Sequence, residues 1–116
     1  MGQAFLANSK ISDFDVNYAG ADILGIVMHS VGHHNVAREA ENAKYGITDR
    51  LPSTKCLMDE TECIKAGKAV RAIPPRQEAE LYAQCRHLFG SDAQEFHKFL
   101  MGWATFLENC GGYEVN

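Results

Sequence analysis

A chain of 116 residues, 46% hydrophobic, with 11 Lys and Arg against 15 Asp and Glu, has the length of one domain and apolar content for one core. That composition excludes a disordered chain, and four cysteines are too sparse for a disulfide scaffold. A net charge of -4 argues against nucleic acid as a partner, because no basic field draws the phosphate backbone in.

The first residues, Met1 to Leu6, lack the basic and apolar regions of a signal peptide, and Leu6 stands where a myristoylation signal wants Ser or Thr. Phe5-Leu6-Ala7 and Phe14-Asp15-Val16 are candidate short strands. Residues 18–31 carry Ile23, Leu24, Ile26, Val27, Met28 and Val31, apolar nearly all round, which predicts a buried helix. A strand over Ile23 to Met28 is the alternative, given its β-branched residues. The most apolar window, Ala21 to Val31, is shorter than the ~20 residues that span a bilayer. A soluble, cytoplasmic protein with reduced thiols and no membrane partner is expected.

Beyond this point either one helix continues through Gly32, or Asn35 caps a second helix that runs to Tyr45 and stops at Gly46. Residues 46–58 read as loop, with Pro52 and a Ser-Thr pair. A helix is expected from Asp59 to Ala72, with Asp59 and Glu62 in a capping-box-like start and Met58 stapled against Cys63. Its inward face is Cys63, Ile64, Gly67 and Val70. Pro74-Pro75 opens the next helix, whose apolar face is Leu81, Tyr82, Cys85, Leu88 and Phe89, with Gly90 as its stop. Ser91-Asp92-Ala93-Gln94 reads as a capping box for the last helix. There Phe96, Phe99, Trp103, Phe106 and Cys110 recur at steps of three and four, widened by Leu100 and Leu107. Gly111-Gly112 ends it, and Tyr113-Glu114-Val115 is a strand candidate able to pair with the two near the start. The expected fold is mainly α: a compact single-domain bundle of four to five helices with a C-terminal αα-hairpin and a small β ribbon from the termini.

Four constellations invite chemistry. His29, His33 and His34 form the densest. If the helix runs through Gly32, His29 and His33 stand at i and i+4, a spacing for a shared metal, with Asp22 and Gly25 along the same strip. No HExxH, CxxC or HxH pattern completes the ligand set, and Glu39 and Glu41 are unselected third candidates. The competing reading is a glycine-terminated helix whose histidines are solvated or near carbonyls. Lys65, Lys68 and Arg71 step by three along one helix side, with Arg76 beyond. They suit an acidic partner or a phosphate, though a solvated helix face looks the same. No phosphate-loop pattern is present. The cysteines read as inert: Cys85 and His87 diverge on a helix, Cys56 has Lys55 but no histidine beside it, and Cys63, Cys85 and Cys110 lie on inward faces. Tyr18 and Tyr45, at predicted element ends, are candidate contact residues for a partner.

No motif names a family, and no cofactor is expected. The preferred expectation is a non-enzymatic interaction protein, an adaptor, inhibitor or regulator of another macromolecule, of the kind often encoded by phages or mobile elements. The wide final stripe leaves an edge suited to a homodimer. The alternative is a metal- or phosphate-ligand-binding protein or small hydrolase centred on His29, His33 and Asp22.

Overall fold

The computed structural model describes residues 2–33, 57–90 and 92–115. In chain order these form β1 (Gly2–Ala7), β2 (Phe14–Asn17), α1 (Tyr18–Ser30), β3 (Leu57–Met58), α2 (Glu60–Arg71), α3 (Pro75–Cys85), α4 (Ala93–Asn109) and β4 (Tyr113–Val115). The protein is mainly helical, and its strands make one antiparallel sheet in the order β2-β1-β4-β3.

α4 carries the broadest apolar face. Phe96, Leu100, Trp103, Ala104, Phe106 and Leu107 are all buried, as their three-four spacing requires. The helix begins one residue later than a Ser91 cap implies. Asp92 is the N-cap, and its carboxylate accepts from the Glu95 amide at 2.9 Å. An anion there also meets the positive end of the helix dipole, which a serine hydroxyl does not. At the other end Cys110 closes the helix, and Gly111 and Gly112 both adopt positive φ (68° and 95°) to turn the chain into β4. The segment after β1 caps this terminus. Ser9 donates its amide to the Cys110 carbonyl (2.8 Å) and its hydroxyl to that of Asn109 (2.8 Å), while the Asn8 amide donates to Gly112 (3.0 Å). The end carbonyls of α4 thus find partners almost a full chain length away.

The sheet lies against α4 through aromatic rings. Phe5 of β1 is fully buried, with Trp103 4.8 Å and Tyr113 5.2 Å away in edge-on contacts. Phe14 of β2 meets Trp103 at 5.2 Å and Phe106 at 5.6 Å. The Trp103 indole N–H points at the Met28 sulfur, 3.3 Å away on α1, so the tryptophan joins sheet and both helices. α1 is helical rather than extended. The Asn17 side chain caps it by accepting from the Gly20 amide (2.7 Å), and Ala21, Ile23, Leu24, Val27 and Met28 are buried.

α2 starts at the expected cap, Asp59 accepting from the Glu62 amide at 2.8 Å, and runs antiparallel to α4. Gly67 sits at the crossing. A Cβ built there would lie 2.7 Å from Glu108 Cγ and 2.9 Å from the Ala104 carbonyl oxygen. The glycine that weakens α2 as an isolated helix is therefore what lets the two helices approach. α3 opens on Pro74-Pro75 as expected, but ends at Cys85 instead of at Gly90. The Leu88 and Phe89 amides both turn back onto the Cys85 carbonyl (2.8 and 2.9 Å). Leu88 and Phe89 still pack against the core, so the apolar spacing survives although the helix does not.

Leu57–Met58 is a strand where a loop was expected. It pairs with Tyr113 and Glu114 of β4, a long-range contact that two residues cannot signal locally. The expected Asn35–Tyr45 helix lies outside the described residues. The crossing makes a clear test: Gly67→Ala should lower unfolding free energy by about 1–3 kcal/mol, while Gly90→Ala, with nothing within 4 Å of its Cβ, should stay within about 0.5 kcal/mol of the parent. Urea denaturation of both variants measures the contrast.

Candidate functional site

A cleft of about 330 Å3 lies beside β2. One wall is Asp15–Asn17 of β2, the opposite wall is the turn Leu88–Gly90, and Ile23 and Phe99 lie at its base. Three consecutive strand residues line the wall. Neighbours on a strand point to opposite faces, so β2 presents its edge to the cleft rather than one face. Among the described residues β2 pairs only with β1, which leaves that edge without a strand partner. Ile23 is buried, Leu88, Phe89 and Phe99 are half-buried, and Asp15, Asn17 and Gly90 are exposed. The result is an apolar base under a polar, acidic rim. The cap of α1 places the site: Asn17 turns the chain from β2 into the helix, and Gly20 lets the two close up, its built Cβ only 3.0 Å from Val16 Cβ.

A shallower hollow of about 400 Å3 lies between the first turns of α3 and α4, with Glu78, Gln94, His97 and Lys98 around it. Its polar groups already engage one another or close neighbours: His97 Nδ1 is 2.9 Å from Glu78, and Lys98 Nζ is 3.3 Å from Glu95.

The histidine cluster does not assemble on one helix. Gly32 adopts φ 73°, its amide donates to His29 (3.1 Å), and the His33 amide donates to Met28 (3.1 Å), which is the closing turn of a helix ended by a left-handed residue. His29 is exposed in the last turn of α1, and His33 lies past the stop, with Nδ1 3.4 Å from Glu62 on α2. The i, i+4 relation expected of a continuous helix is therefore absent. Asp22 is half-buried two turns earlier. No group of three His, Cys, Asp or Glu able to hold a metal occurs among the described residues. His34 and Tyr45 lie outside them, and Tyr18 is the first residue of α1.

Lys65 and Lys68 are exposed on α2 as expected. Arg71 instead folds onto α4, donating to Glu108 at 2.7 Å and to the Thr105 hydroxyl at 3.0 Å. The Glu108 hydrogen bond raises its pKa, so its charge is already matched within the chain. Arg76 is 94% exposed and 3.9 Å from Glu80. Of the four, Arg71 is the one held against another helix.

Sequence reasoning passed over a pair of thiols. Cys63 on α2 and Cys110 at the end of α4 are both fully buried and hydrogen-bonded to each other. The Cys63 hydrogen bond lowers Cys110 to about 7 against the opposing effect of burial, and the Gly112 amide assists. Cys63 moves far upward, because it donates to Cys110 and is desolvated. The only sequence signal was that both fall on inward faces, which says nothing about which inward residues meet.

No protein-family model matches the chain, nor does any curated protein or solved structure. No helix among the described residues is long and apolar enough to cross a membrane.

The third described cysteine gives a pH prediction. Burial pushes the Cys85 thiol up from 9.0 to about 11. In the unfolded chain it loses its proton near 9, in the folded chain only near 11. Its contribution to stability is thus whole below pH 9 and is lost as pH rises to 11. Cys85→Ala should show a shallower loss of stability across that window, by about 1 kcal/mol per pH unit, in urea titrations at successive pH values.

Proposed function

We propose that this chain is an interaction protein, an adaptor, inhibitor or regulator that binds a protein partner through the cleft beside β2. The observation that carries the reading is the coincidence of an open strand edge with an apolar base. An extended segment of a partner can add to β2 by main-chain hydrogen bonds, while an alternate side chain enters over Ile23 and Phe99. Asp15 on the rim favours a basic residue next to that apolar one on the partner. Bare edges are otherwise protected in soluble proteins, so an edge that is unpaired among the described residues and lined by apolar side chains suits recognition of an extended segment. The proposed setting is cytoplasmic, in keeping with the described cysteines carrying no disulfide. Lys65 and Lys68 are a secondary contact surface in this reading, without Arg71. A metal- or phosphate-binding role at Asp22, His29 and His33 has less support, since Gly32 parts the two histidines.

The test is affinity capture from the native cell, with the tagged wild type beside two sets of variants. Asp15→Lys combined with Gly90→Trp reverses the rim charge and fills the cleft. It should lower recovery of the specific partner at least tenfold, on the order of 1.4 kcal/mol, with an unchanged circular dichroism spectrum. Lys65→Glu with Lys68→Glu should change recovery less. Full recovery by the cleft variant would remove the proposal. Light scattering of the purified chain separates partner binding from the homodimer also considered.

A further inference from the structure

Cys63 and Cys110 come from opposite ends of two antiparallel helices, and one feature of the packing brings them together. Gly67 lies against Ala104, Leu107 and Glu108. One helical turn before Gly67 is Cys63, and one turn after Leu107 is Cys110. Moving backward along α2 and forward along α4 from so close a crossing leaves the two sulfurs as the next pair of facing side chains. In the other direction Arg71, one turn beyond Gly67, reaches Thr105 (3.0 Å) and Met101 (3.8 Å). The thiols are in hydrogen-bond contact and fully buried, and Gly112 donates an amide to Cys110. Protonated, Cys110 donates to the Leu107 carbonyl at 3.6 Å. Deprotonated, it accepts from the Cys63 thiol. The hydrogen bond from Cys63 favours Cys110 as the sulfur that gives up its proton first, the division of roles that a dithiol needs to react in sequence.

We propose that Cys63 and Cys110 are a redox-active dithiol that closes to an intramolecular disulfide on reaction with hydrogen peroxide. The Cys110 thiolate attacks one peroxide oxygen and the O–O bond breaks. Cys110 becomes a sulfenic acid, and the departing hydroxide takes a proton to leave as water. The Cys63 sulfur then attacks the sulfenic sulfur, forming the S–S bond and breaking the S–O bond. The Cys63 proton leaves with that oxygen as a second water. Two thiols are oxidised and one peroxide is reduced to two waters. Burial of both sulfurs selects a water-sized oxidant over a bulky disulfide reagent. The bond would fasten the start of α2 to the end of α4, where β4 and the segment after β1 also meet.

The experiment uses the full chain carrying Cys56→Ser, so that the tryptic segment 56–65 holds a single cysteine. The reduced protein is treated with equimolar hydrogen peroxide, alkylated under denaturing conditions, weighed intact and mapped without reductant. The expected result is a loss of about 2 Da before alkylation, reversed by dithiothreitol. Mapping should give a major cross-link between segments 56–65 and 99–116, and the melting temperature should rise by about 5 °C or more. Cys63→Ser should stop at a sulfenic acid trapped by dimedone, whereas Cys110→Ser should react at least tenfold more slowly. A chain that keeps all its thiols, a bond mapped to Cys85, or a gain of two oxygens on one cysteine without cross-linking would overturn the proposal. Mapping of the Cys56→Ser chain decides it even if a serine variant fails to fold.

Discussion

The approach of α2 to α4 at Gly67 is the constraint on which the rest of this structure depends. Backbone and side-chain atoms of α4 occupy the space a Cβ would need, so α4 packs directly onto the α2 backbone at this point. Such an approach turns a pair of helices into a rigid unit and sets what lies above and below it. Toward one end it brings Arg71 to Glu108 and Thr105. Toward the other it brings Cys63 to Cys110. Neither pairing depends on attraction between the partners at long range. Both follow from where the crossing places them.

The far end of α4 organises the sheet in a similar way. A helix terminus exposes carbonyls that need donors, and the residues after β1 supply them. Once Asn8 and Ser9 are held there, β1 lies alongside β4, and Phe5 lies over Trp103 and Tyr113. β2 then follows as the outer strand by a short connection in which Asp13 accepts from the Ala7 amide. Among the described residues β2 is thus the end strand of the sheet, and the cleft lies beside it.

Electrostatics plays a subordinate part. The acidic balance is spread along the chain, and several charged groups are matched locally, Arg71 with Glu108, Lys98 with Glu95 and His97 with Glu78. Exposed pairs of this kind contribute little to stability. What they do is remove cations from the pool available to a partner. Asp15 is an exposed charge on the cleft rim.

Much of the local structure was legible in the sequence, because its signals act over a few residues. The stripe from Phe96 to Cys110, the Asp59 cap, the Pro74-Pro75 start and the Gly111-Gly112 stop each belong to one helix and appear as expected. The terminal strands were legible for the same reason. Gly32 carried two readings, and its positive φ selected the stop, which parted His29 from His33. The cleft was not legible: Asp15, Phe89 and Phe99 are distant in sequence, and each alone is an ordinary strand, turn or helix residue. Arg71 read as one cation of a stripe, and only its neighbour across α4 withdrew it. The cysteines show the division most clearly. Sequence periodicity determined that Cys63 and Cys110 face inward, since that is a property of each helix. That they face each other was decided by the tertiary structure, because it depends on where two helices cross.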